Sequence, residues 1–118
     1  MENFDDKKKL VSVYNEAQLQ IMRLNNIWVK CHNHRQKGDL VNYKWELDGA
    51  WIELSTDAKQ TNPDFYFPAI EKINLSISKT KNPDILYHLL QKKEMLLKQL
   101  QEDAGKGGKR MKEGGSWY

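Results

Sequence analysis

Apolar positions recur through residues 6–37 at alternating spacings of four and three: Leu10, Tyr14, Ala17, Ile21, Leu24, Trp28 and Cys31. That is a heptad seam on one long helix. Tyr14, Ile21 and Trp28 take one core position, and Leu10, Ala17, Leu24 and Cys31 take the other. Asp5 or Asp6 is placed to cap its start, and Gly38 stands where a left-handed residue closes a helix. A helix of about 32 residues is about 48 Å long, which leaves part of it free to project or to pair with a second copy.

Residues 39–55, DLVNYKWELDGAWIELS, fit two periods. As strands, Val41, Tyr43, Trp45 and Leu47 alternate with polar residues, and Asp48-Gly49 is a hairpin turn. As a helix, Leu40, Tyr43, Leu47, Ala50, Trp51 and Leu54 fall within roughly 100° of arc. Asn42, Glu46, Gly49 and Glu53 gather opposite them, and Val41, Trp45 and Ile52 form a second apolar cluster. The helix accounts for more of the pattern, with Asp39 as its N-cap and residues 39–56 as its span. The second cluster is then either ordinary core or an exposed patch for self-association.

Residues 57–67 read as a connection containing a turn at 63–66, because Pro68 obstructs a helix running through it. Ile70, Ile73 and Ile77 then line a helix over 68–80, although Ile73, Leu75 and Ile77 also alternate as a strand would. The tripeptide Asn-Pro-Asp occurs at 62–64 and again at 82–84, and Asn followed by Pro is a helix start. The second copy opens a helix over 83–103 with Leu86, Leu89, Leu90, Leu96, Leu97 and Leu100 on one broad face.

These elements predict an all-α fold. It is an antiparallel four-helix bundle over residues 1–103 with a long first helix, followed by a flexible basic tail over 104–118. The alternative is an α+β fold with a small hairpin at 40–55.

Charge changes this picture only at the end of the chain. The net charge is +3. The tail carries Lys106, Lys109, Arg110 and Lys112 against Glu113, so the predicted body is neutral. Lysine outnumbers arginine sixteen to three, which argues mildly against a specific reader of phosphates and bases. No apolar run approaches the roughly 18 residues of a membrane span, and the N-terminus has no secretory pattern. A single cysteine excludes an internal disulfide and suits a cytoplasmic setting.

Candidate chemistry is sparse. Cys31 and His34 lie one turn apart in the run CHNH, but four zinc ligands are not at hand. No Glu-x-x-His pair supports a di-iron centre. Asp39, Glu46 and Glu53 stack at seven-residue spacing and read as a solvated outer face. Gly105–Gly108 follows a helix instead of preceding one, so it is no phosphate loop. No catalytic residue, cofactor or metal is expected.

The expected function is therefore that of an interaction or assembly protein, binding protein partners and further copies of itself. Val41, Trp45, Ile52, Trp117 and Tyr118 are the contact residues. The alternative is a nucleic-acid-binding accessory protein that holds phosphates with Lys7, Lys8, Lys9, Lys106, Lys109, Arg110 and Lys112.

Overall fold

The structure, a computed structural model, describes the backbone of residues 4–105 and the side chains of Glu16 and of residues 18–105. The fold is all-α. Four helices follow one another: α1 (Phe4–Lys37), α2 (Leu40–Thr61), α3 (Pro63–Lys79) and α4 (Pro83–Gly105). Among the described residues there is no strand, and no helix is long and apolar enough to cross a membrane.

Local rules explain the α1–α2 joint. Gly38 has φ +73°, where a side chain would be strained. The Asp39 N–H donates to the His34 carbonyl at 2.9 Å and the Gly38 N–H to that of Arg35 at 3.2 Å, which satisfies the carbonyls at the helix end. Asp39 then caps α2 by accepting from the Asn42 N–H at 3.2 Å. Asp48 and Gly49, the turn of the hairpin alternative, lie in the middle of α2.

Two expectations are corrected. The connection at 57–67 does not exist: α2 runs on to Thr61, and Asn62 alone separates it from α3. Ala58 and Thr61 are buried on the face that already holds Tyr43, Leu47, Ala50 and Leu54, so burial carries the helix onward. Pro68 does not delay α3 either. It lies near the helix start, on an exposed turn where water can take the carbonyl that its missing N–H leaves free. The two Asn-Pro-Asp copies do differ at their caps. The Asn82 side chain accepts from the Asp84 N–H at 2.8 Å, whereas Asn62 makes no side-chain cap bond. At the far end, α4 continues to Gly105, two residues past the predicted boundary.

The helices run up, down, up, down. α1 meets α2 antiparallel, with Gln20 donating to the Glu53 carbonyl at one end and His34 beside Glu46 at the other. α3 meets α4 antiparallel through Asn74–Lys93 and Tyr66–Asp103. The closest packing is between α2 and α4, which run parallel across the diagonal; α3 packs against both, whereas α1 packs on α2, reaches α4 through side chains and has no close backbone approach to α3. The core is a single cluster that includes Leu24, Cys31, Tyr43, Leu47, Leu54, Tyr66, Ile70, Leu90, Leu97 and Leu100.

The predicted seam of α1 is only partly closed. Leu24 and Cys31 are buried and Trp28 is half-buried, but Ile21, beside Ala104 and Gly105 of α4, is 46% exposed. The side chains of Leu10, Tyr14 and Ala17 lie outside the described residues.

Candidate functional site

The outer face of α2 is set by the diagonal packing. Its core side meets α4, one flank meets α1 through Glu46 and Glu53, and the other meets α3, where Trp51 stands edge-on to Phe67 at 5.4 Å. What remains is the side opposite the core. Val41, Trp45 and Ile52 fall there within about 40° of arc at 100° per residue. They are 63%, 64% and 73% exposed. Of the two readings of this cluster, the structure therefore places it at the surface. The three side chains form an apolar row along one helix, next to the half-exposed carboxylate of Asp48.

Polar chemistry concentrates on α4, and it points inward. Lys93 and Glu94 are buried, 1% and 5% exposed. The Lys93 ammonium donates to Asp48 on α2 and Asn74 on α3, each at 2.7 Å. The Glu94 carboxylate accepts from Tyr43 on α2 at 2.5 Å, from Arg35 on α1 and from Lys98 at 2.9 Å. Asp103 accepts from Tyr66 on α3 and from Gln99, and Gln101 accepts from the Trp28 indole at 2.8 Å. α4 is thus tied to each of its neighbours by a polar contact inside or beside the apolar core.

These contacts decide what the groups can do. Burial alone would raise the Glu94 pKa; hydrogen bonds from Tyr43, Lys98 and Arg35 outweigh burial and hold it below the usual carboxylate value. It is a charged, fully engaged acceptor and a poor general base. Burial, reinforced by the bond to Glu94, pushes the Tyr43 phenol well above its ordinary value, so it stays a donor. The arrangement reads as a fastening between helices, with its charges already committed to one another.

The CHNH run resolves similarly. Cys31 is fully buried, and burial, then the negative charges of Glu94 and Glu46, push its thiol up to about 12. A thiolate is the reactive form, so thiol reagents at pH 8 are expected to label the native protein only as fast as it unfolds. Labelling kinetics with and without denaturant check this; rapid native labelling would contradict the burial. His34 lies 3.8 Å from Glu46 through Nε2, and its buried Nδ1 has no hydrogen-bond partner. Among the described residues no group of three or more His, Cys, Asp and Glu side chains is disposed to hold a metal ion.

The spaced acids are corrected as well. Asp39 is the α2 cap, Glu46 faces His34, and Glu53 lies 3.5 Å from Arg23. They follow the α1–α2 boundary and do not form an open, solvated row. Trp117, Tyr118, Lys106, Lys109, Arg110 and Lys112 lie outside the described residues, as do the side chains of Lys7, Lys8 and Lys9.

Sequence reasoning did not single out Lys93 or Glu94, nor link Tyr43 and Asp48 to them. A signal was present: between Leu90 and Leu97 the leucine face is interrupted at the two positions, 93 and 94, that helical spacing assigns to the core. No protein-family model, curated protein or solved structure matches the chain.

Proposed function

We propose that the protein is a non-enzymatic interaction or assembly module that associates with further copies of itself through helix faces, foremost the outer face of α2. One observation carries this reading: Val41, Trp45 and Ile52 stand together in solvent on the side of α2 opposite the core. Scattered exposed apolar residues need no explanation, but a contiguous patch of a few hundred Å² is the scale at which monomer surfaces become contact sites. Tryptophan is also the residue type most often found at the energetic centre of an interface.

A two-fold axis across the stripe would set each copy's row against the other's. A stable interface buries about 800 Å² per partner, so the stripe serves as its centre and the surrounding polar residues as its rim. α1 supports the same reading. It is 34 residues long against 22 for α2, which leaves about 18 Å of helix without an α2 counterpart. The heptad positions Leu10 and Tyr14 fall on that stretch.

Sedimentation equilibrium tests the proposal. The parent protein is expected to associate, and Trp45→Glu to weaken association by at least roughly tenfold, the scale of a hot-spot loss. The helical circular dichroism should be unchanged, because Trp45 lies outside the core. Association should survive added salt, whereas phosphate binding through the lysines falls steeply. A parent protein that stays monomeric at high concentration would refute the reading.

A further inference from the structure

A second apolar surface lies on the other side of the molecule. α3 and α4 leave a groove between them, a cavity of about 380 Å³ lined by Phe65, Ile73, Lys92, Met95, Leu96 and Gln99. That volume is within the roughly 300–1,000 Å³ of ligand pockets. Its walls are aromatic, aliphatic and thioether. Met95 is 70% exposed at its edge, and Phe65 is half-exposed. Methionine adapts to irregular partners and makes favourable contacts with aromatic rings, and a lysine ammonium at the rim is suited to an aromatic face. The chemistry fits an aromatic side chain entering beside Met95, with Lys92 over its ring.

We infer that the occupant is the chain's own C-terminal segment, with Trp117 and Tyr118 docked in the α3–α4 groove. This inference is independent of self-association through α2. It rests on the groove and on the length of chain that follows it. α4 ends at Gly105, and the groove runs back along α4 from Gln99 to Lys92. Those residues lie about 9 to 20 Å before the helix end at 1.5 Å per residue. Eleven residues separate Gly105 from Trp117, four of them glycines, at 107, 108, 114 and 115. A glycine-rich chain of eleven residues has a root-mean-square span of about 17–20 Å. The reach therefore matches the distance, and the fully extended limit of about 40 Å exceeds it twofold.

Covalent linkage also selects among occupants. A segment tethered at this length is present at an effective concentration in the millimolar range, far above that of any free peptide or second copy. Glycines at 107 and 108 permit the reversal of direction that docking requires.

Methyl-labelled NMR on the full chain tests this. The Met95, Ile73 and Leu96 methyl resonances are expected to show upfield ring-current shifts that are lost in the double variant Trp117→Ala, Tyr118→Ala. The same shifts should be unchanged on dilution. Met95→Gln, at an exposed position that leaves the core intact, should move the Trp117 indole N–H resonance toward its value in the free peptide. Groove methyl resonances that do not respond to the double substitution would overturn the inference. So would shifts that fade on dilution, which would place the segment on a second copy, or shifts at Val41 and Ile52 in place of the groove.

Discussion

Glu94→Ala is expected to lower the unfolding free energy by about 3–5 kcal/mol, the range for deleting one member of a buried charge network. The carboxylate is nearly inaccessible and serves three donors at once, from Tyr43, Arg35 and Lys98. Removing it leaves the Tyr43 hydroxyl, in a side chain buried completely, without its acceptor. It also leaves the Arg35 guanidinium, which lies over the Tyr43 ring at 5.5 Å, without a counter-charge. Lys98 contributes little to the loss, because it is half-exposed and returns to water. Combining Glu94→Leu with Arg35→Met and Tyr43→Phe should recover much of the stability, since no orphaned polar group then remains.

The same carboxylate gives the effect a pH signature. Its pKa in the folded chain lies below the ordinary value of 4.5. A depressed native pKa stabilises the fold fully above the unfolded value, and that stabilisation is lost as pH falls through the native one. The gap between parent and Glu94→Ala should therefore be constant near neutrality and narrow below about pH 4.5. Urea unfolding followed by circular dichroism at several pH values measures both. A loss under about 1 kcal/mol at pH 7 would mean that water already serves this network.

Local signals made part of this architecture legible in the sequence. Gly38-Asp39 and Asn82-Pro83 were readable because each turn or cap is decided by the few residues that form it. The surface row on α2 was readable for a related reason. Once the segment is helical, Val41, Trp45 and Ile52 cannot share a face with Tyr43 and Leu47. Segment 57–67 was not readable, because the rule that proline breaks helices is weak near an N-terminus, and the burial of Ala58 and Thr61 depends on the rest of the fold. The internal charges were the least accessible. That Lys93 and Glu94 lie inside follows from α4 packing against α2 and α3 while side chains of α1 reach it, and only the assembled fold shows that Asp48, Asn74, Tyr43 and Arg35 wait there as partners. The α3–α4 groove had no signal, since its walls come from two helices and one of them, at Phe65, read as a turn.

Two substitutions that each break the Lys93–Asp48 ion pair should differ in cost. Asp48→Ala leaves a buried ammonium with Asn74 as its remaining partner among the contacts at 2.7 Å. The expected cost is about 2–3 kcal/mol, below the full range for breaking a buried pair because Asp48 itself is half-exposed and water can enter its place. Lys93→Met removes the ammonium and keeps a long unbranched side chain of similar volume in the space between α2 and α3. Asp48 then turns to solvent and to Lys44, whose ammonium already lies 3.7 Å away. The only group left to re-satisfy is the half-buried Asn74 amide, so Lys93→Met should fall within about 1 kcal/mol of the parent. Denaturant unfolding of the two variants side by side decides the point. Equal losses would mean that the pair contributes as a pair, and the asymmetry argued from exposure would be wrong.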